Sequence, residues 1–306
     1  MKVILNQSKS FSLEDISKTV ETGLNGLYPG NFNFNNIIIK PNLCYYWDYT
    51  TGQTTDPRVV ASIIDWIREK NSNADITVAE TDASAMKTRH SFKILGYEKL
   101  ASEKNVRLAN LSKGNIVEKK TSVLGKEIKL PINEILDKSD LLINVPTLKT
   151  HREIGFTCAM KNIFGLISKP RKYSYHKNLA ETIVAINKII KSNAIVVDGI
   201  IAAGKYPKKM GVIITGEEAY STDVVVSDLV GIGASKVSYL KIASKDNFFK
   251  KEKTRVIENT AKINQIKKEF PKPNYLLDEL LWKSELFALK LYAKIVGDVI
   301  PPVLDG

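Results

Sequence analysis

Apolar residues follow two rhythms along this chain. Short unbroken runs rich in β-branched residues, "NNIIIK" (35–40), "ADITVAE" (74–80), "DLLINV" (140–145), "NAIVVDG" (193–199) and "GVIITG" (211–216), have the length and make-up of strands buried on both faces. Between them, apolar positions recur every three or four residues. In "TDPRVVASIIDWIREK", Asp56 is placed to cap a helix, Pro57 opens its first turn, and Val59, Val60, Ile63, Ile64 and Ile67 share one face. "NLAETIVAINKIIK" gathers Leu179, Ile183, Ile186 and Ile190 on one side, and "STDVVVSDLVGIG" reads as a helix starting at Ser221 or Thr222 and stopping at its glycines. Strand, helix, strand in repeated succession predicts an α/β fold, with a largely parallel or mixed sheet and helices on both faces.

Two departures from this alternation suggest how the chain is divided. A charged, hairpin-like stretch, "LSKGNIVEKKTSVLGKEIKLP", precedes the strand at 141 and marks a lobe boundary near 130–140. After about residue 240 the pattern gives way to a basic stretch and then to the long apolar helix "YLLDELLWKSELFALKLYAKIVGD". The expected organisation is an α/β domain over 1–240 and a basic, helical C-terminal extension over 241–306. The helix is read as packing on the domain or on another subunit, with peripheral membrane contact as the alternative.

Ligands of such sheets bind beyond the carboxyl ends of the strands. Here the strands end in Lys40-Pro41-Asn42, in Glu80-Thr81-Asp82, in Asn144 followed by "PTLKTH", and in Asp198-Gly199. If the strands are parallel neighbours, Lys40, Asn42, Glu80, Asn144, Lys149, His151 and Asp198 meet at one rim. The helix start at Thr55–Asp56 adds backbone N–H groups suited to an anion. The stretch "LINVPTLKTHREIGFTCAMKNIFGLI" (142–167) reads as a strand, then a donor-rich loop with Lys149, His151 and Arg152, then a semi-buried helix bearing Lys161 and Asn162. Paired with Glu80 or Asp198, His151 or His176 could act as a general base or a metal ligand. Singly, each residue also has an ordinary explanation: Asp56 as a cap, Asn42 as a turn residue, Glu80 as a solvated strand end, "SYHK" as a surface loop.

Composition narrows the function classes. Charged residues make up 25% of the chain and hydrophobic ones 43%, ordinary globular usage. The first residues hold too short an apolar run for a signal peptide and no run has membrane-span length, so the chain reads as cytoplasmic. Cys44 and Cys158 stand far apart, which excludes an iron–sulfur cluster held by this chain alone. The net charge is +12, and residues 241–272 supply half of it, with ten Lys/Arg against four Asp/Glu. That segment has too few aromatics for a base-stacking surface, so nucleic acid is a disfavoured partner. No H-E-x-x-H, P-loop, G-x-S-x-G or G-x-G-x-x-G is present.

Five stretches carry a resemblance: "IIIKPNL" (37–43), "TTDPRVVASIIDWIRE" (54–69), "LLINVPTLKTHREIGFTCAMKNIFGLI" (141–167), "YHKNL" (175–179) and "IVVDGIIA" (195–202). The order K-P-N, T-D-P, N-V-P-x-L-K-T-H and A-M-K-N-x-F-G resembles the prokaryotic domain of unknown function family 362 (DUF362). Some members carry a ferredoxin-like cysteine module, so the resemblance implies that a redox role here would need an iron–sulfur partner protein. The family is also distantly similar to nickel-dependent lactate racemase-type proteins, which implies two lobes with a ligand cleft between them. After the D-G-I strand this chain has "AAGKYPKKMG", with lysines where the family has small residues.

The leading expectation is an enzyme binding a small anionic metabolite, carboxylate or phosphate, through Lys40, Asn42, Thr55, Asp56, Asn144, Lys149, His151, Lys161 and Asn162. Glu80, His176 and Asp198 are its candidate acid–base or metal-binding groups, with redox-linked or metal-assisted chemistry both open. The alternatives are an accessory protein docking an iron–sulfur or metal partner through its basic surface, and nucleic-acid binding through the same surface.

Overall fold

The computed structural model describes residues 1–30, 32–83, 86–151, 154–246, 248–249 and 253–272, and singly 284, 288 and 291. Arg152 and almost all of the expected C-terminal helix lie outside the described residues. The strands are β1 (Lys2–Gln7), β2 (Asn36–Pro41), β3 (Asp75–Glu80), β4 (Arg107–Asn110), β5 (Ile116–Val123), β6 (Lys126–Asn133), β7 (Leu141–Val145), β8 (Thr147–His151), β9 (Gly155–Thr157), β10 (Ala194–Ala203), β11 (Pro207–Gly216) and β12 (Arg255–Glu258). The helices are α1 (Leu13–Leu27), α2 (Pro57–Lys70), α3 (Thr88–Ile94), α4 (Tyr97–Lys104), α5 (Ala159–Phe164), α6 (Leu179–Ile189), α7 (Ala219–Leu229), α8 (Ser238–Ala243) and α9 (Ile263–Glu269).

One mixed sheet organises the fold, in the order β12-β1-β11-β10-β7-β2-β3-β4. From β10 through β7, β2 and β3 to β4 the pairing is parallel, whereas β11 runs antiparallel to both β10 and β1. The register sets Lys40 of β2 opposite Asn144 of β7, so neighbouring strands do end side by side. β7 pairs with β2 and β10 across the region of the expected lobe boundary, and the basic stretch adds β12 beside β1.

Both faces of the sheet are buried, as the unbroken apolar runs predict. Ile37 and Ile39 pack with Val20 and Leu24 of α1 and Val60, Ile63 and Ile67 of α2. Ile38 and Leu142 belong to the opposite core, with Met160 and Ile163 of α5, Ile183 and Ile186 of α6, and Leu130 and Ile132 of the hairpin β5–β6. Asp56 caps α2 by accepting the Arg58 N–H at 2.9 Å, with Pro57 in the first turn.

Two local expectations are corrected. α7 begins at Ala219 rather than Ser221 or Thr222, because the Glu218 carboxylate accepts the N–H groups of Tyr220 and Ser221 at 2.9 and 2.8 Å. The expected donor-rich loop after β7 is a strand: past Pro146, β8 pairs in parallel with β10 and antiparallel with β9. Pro146 ends β7 yet keeps the chain in line, its carbonyl accepting the Asp198 N–H at 2.8 Å. Among the described residues, no helix is long and apolar enough to cross a membrane.

Candidate functional site

A closed polar network joins the ends of β2, β3 and β7 to α5. Lys40 Nζ donates to Glu80 Oε2 at 2.7 Å, to the Pro41 carbonyl at 2.6 Å and to Asn162 Oδ1 at 3.3 Å, so all three of its protons have acceptors. The lysine is only 1% exposed and the glutamate 3%. Asn162 Nδ2 donates to Lys40 O (3.2 Å) and Asn144 Oδ1 (2.7 Å), and Asn144 Nδ2 donates to Ala159 O at 2.9 Å. Lys40, Glu80 and Asn144, which the strand-end reading selected separately, and Asn162 of the expected helix are thus joined in one network. Glu80 is far from the solvated strand terminus of its ordinary explanation.

α5 has only six residues, and what holds its start was missed in the sequence. Asp223 of α7 accepts the Ala159 and Met160 N–H groups at 2.7 and 3.0 Å and the Tyr239 hydroxyl at 3.0 Å. Burial pushes its carboxyl up to about 7, opposed by these donors and by the Cys158 thiol. The one available signal was an aspartate running straight into the apolar "VVV" of 224–226.

Above this network stands a crown of cations. On β8, Lys149 Nζ donates to the Gln53 carbonyl at 2.7 Å, which Asn42 Nδ2 also reaches at 2.7 Å before continuing to Thr147 Oγ1 at 3.1 Å. Burial lowers the Lys149 ammonium pKa; the Cys44 thiol opposes this and the Lys40 cation adds to it. Lys172, in a 3-10 helix over 172–178, donates to Thr81 Oγ1 at 2.6 Å and closely to the Asp82 carbonyl. It is lowered to about 8 by burial, against Glu80 and Asp82, with Lys40 and Lys161 reinforcing. His151 is held down at about 3, by burial first and then by Lys161, Lys149 and His176. Lys161 lies over the Phe164 ring at 4.3 Å, and His176 stacks on Tyr173 with ring centroids 5.2 Å apart. The Lys40 cation bears on both Lys149 and Lys172, and Lys161 bears on both Lys172 and His151, so these side chains gather about the same strand ends.

One buried hydroxyl is paired across from Lys149 and another follows its partner Gln53 in the chain. Thr157 sits directly opposite Lys149 in the β8–β9 pair, and so on the same face, while Thr54 follows the Gln53 carbonyl that Lys149 holds. Among the described residues, neither Oγ1 has a hydrogen-bond partner.

The predicted set divides here. Thr55 Oγ1 donates to Val145 O and accepts the Asn42 N–H, both at 2.8 Å, while the Asp56 N–H donates to Asp198 Oδ2 at 2.7 Å. Asp198 also accepts the Ile200 N–H at 3.0 Å, and burial with the nearby Asp56 raises it to about 7. It shares the sheet face of α1 and α2 with Val196 and Ile200. The charges acting on it are Asp56 and Arg58, not the lysines. Among the described residues, no group of three His, Cys, Asp or Glu side chains could hold a metal ion.

Sequence reasoning missed Gln53, Lys172 and Thr157 as well as Asp223. Gln53 acts through its carbonyl, which has no signature in residue type. Lys172 lies in "KPRKYSYHK", a run of basic residues in which nothing local marks one lysine as buried.

The strands, the buried network and the crown coincide with a family signature. The chain belongs to the DUF362 family, described as a domain of unknown function, whose model matches residues 37–228. It is 23% identical over 252 residues to the thylakoid-associated protein sll1697 of Synechocystis sp. (strain ATCC 27184 / PCC 6803 / Kazusa), covering 77% of this chain and 76% of that protein. Among solved structures it is similar to the lactate racemase apoprotein from Thermoanaerobacterium thermosaccharolyticum, with a TM-score of 0.44, 17% identity and 75% of this chain covered. The chain spans 57% of the length of that structure's chain.

Proposed function

We propose that this protein is a cytoplasmic enzyme that binds a small anionic ligand, carboxylate or phosphate, above the ends of β2, β3 and β8. One observation carries the reading. Lys149 and Lys172 are 8% and 7% exposed, and among the described residues neither has a carboxylate at ion-pair distance. A buried ammonium without a counter-charge is costly, and an anionic ligand would offset that cost for both. The unpartnered hydroxyls of Thr54 and Thr157 supply donors of the kind a carboxylate or phosphate accepts.

In this reading Lys149 and Lys172 grip the anion, with Lys161 and His151 beside them. Lys40, Asn144, Asn162 and Glu80 hold the strand ends in register beneath it. Lys172, brought to about 8, is a group able to exchange a proton near neutral pH, and His176 stands beside it at the rim, stacked on Tyr173. Asn42, Thr55, Asp56 and Asp198 position the 43–56 segment. Titration of the protein and of its Lys149→Met and Lys172→Met variants with inorganic phosphate and acetate tests the reading. Both substitutions are expected to weaken binding at least tenfold while the variants remain folded.

A further inference from the structure

We propose that the anion site takes a ligand whose anionic group is carried on an aromatic ring, with Tyr45 and Trp47 forming the surface on which that ring packs. The proposal rests on the anion-site reading above and adds the body of the ligand to its head.

The segment after β2 begins and ends at the crown. The Leu43 N–H points to Glu80 Oε2 at 3.4 Å, the Cys44 thiol lies within the field of Lys149, and the Gln53 carbonyl returns to bond that lysine. Between these anchors, Tyr45 and Trp47 stand 44% and 50% exposed, with ring centroids 5.7 Å apart and planes at 52°. Tryptophan seldom stays this open; Trp66, by contrast, is 2% exposed. The backbone that carries the pair is fixed. Tyr45 adopts φ +53°, a left-handed conformation that tyrosine seldom takes and that costs free energy. Its carbonyl accepts the Ser91 hydroxyl at 3.1 Å, the Lys87 N–H donates to the Tyr46 hydroxyl oxygen at 3.0 Å, and the Trp47 N–H turns back to the Cys44 carbonyl at 3.4 Å. A strained backbone stapled at three points, carrying two part-exposed rings on the segment whose Gln53 carbonyl holds the buried Lys149, matches an amphipathic anion. Its charge would meet the buried lysines, and its ring would cover the exposed aromatic face.

The test compares phenyl phosphate and benzoate with inorganic phosphate and acetate on the full chain, by calorimetry and tryptophan fluorescence, in wild type, Trp47→Ala and Lys149→Met. Melting curves check that each variant is folded. The expected result is that wild type prefers the aromatic anions about tenfold, in line with the strength of ring-on-ring contacts. Trp47→Ala should shrink the preference to about twofold without changing phosphate or acetate affinity, and Lys149→Met should weaken all four ligands. An undiminished preference in Trp47→Ala, with Lys149→Met still weakened, overturns this inference and leaves the anion site standing. Unchanged binding in Lys149→Met overturns both. A folded wild type that binds neither aromatic anion also overturns the inference.

Discussion

The Asp56 N–H lies 2.7 Å from Asp198 Oδ2, so the first turn of α2 hangs from β10, a strand 142 residues further along the chain. Asp56 in turn caps α2 and pairs with Arg58 at 2.7 Å. This chain of contacts fixes the segment from Asn42 to Asp56, whose Gln53 carbonyl holds Lys149. Each carboxylate oxygen of Asp198 accepts one backbone N–H, from Asp56 and from Ile200. An asparagine can supply only one acceptor in that geometry. Asp198→Asn should therefore cost about 1–3 kcal/mol in urea unfolding, by leaving a buried donor unmatched.

The two buried aspartates also predict how stability depends on pH. Asp198 and Asp223 each rise from 3.8 to about 7 in the folded chain, so the folded state holds protons that the unfolded state has lost. Their contribution is complete below about pH 4 and is lost as pH rises through 7, by at most about 4 kcal/mol for each group. Urea midpoints measured from pH 4 to 8 should show this fall. Asp223→Asn should flatten part of it, and an identical slope in that variant would assign the effect elsewhere.

Lys40 and Glu80 form a buried pair in which each depends on the other. Lys40→Met alone should cost about 3–5 kcal/mol, because Glu80 is left charged and buried. Adding Glu80→Gln should recover a large part of that loss. A double variant as unstable as the single one would show that the network, rather than the charge, sets the cost.

Gly165 lies against the same lysine. An added Cβ would stand 2.9 Å from the Asn162 carbonyl oxygen and 3.0 and 3.1 Å from Lys40 Cε and Nζ. The backbone carbonyl cannot move aside cheaply, so Gly165→Ala should destabilise by about 1–3 kcal/mol. Thermal melting of the variant checks this.

Lys172 gives the anion site its own pH signature. With its ammonium at about 8, affinity for an anion should fall as pH rises from 7 to 9, and Lys172→Met should remove that step. His151, at about 3, is neutral throughout this window and contributes no step of its own before the anion binds.

Much of this was legible in the sequence, for physical reasons. Unbroken β-branched runs require burial on both sides, so they located β2, β3, β7, β10 and β11; the Asp56-Pro57 pair fixed the start of α2. Strand ends pointed to Lys40, Glu80, Asn144 and Lys149 because a parallel sheet brings such ends together. Three features had no local signal. The antiparallel run of β11 depends on its hairpin with β10, not on its own composition. β8 read as a loop because its alternation is short and polar, and its partners lie on distant or later strands. The sequence reads Asp198-Gly199 as a strand end, but β10 runs on to Ala203, so Asp198 lies mid-strand, and side-chain alternation turns it to the opposite sheet face, which only the three-dimensional register settles.

The proposed function turns on anion binding by the buried Lys149 and Lys172. It is tested most directly by calorimetric titration of inorganic phosphate and acetate into the wild-type chain at pH 7, alongside Lys149→Met and Lys172→Met. The expected result is saturable binding of at least one of these anions to the wild type and at least tenfold weaker binding to each folded variant. Folded variants that bind as the wild type does, or a wild type that binds neither anion, would contradict it.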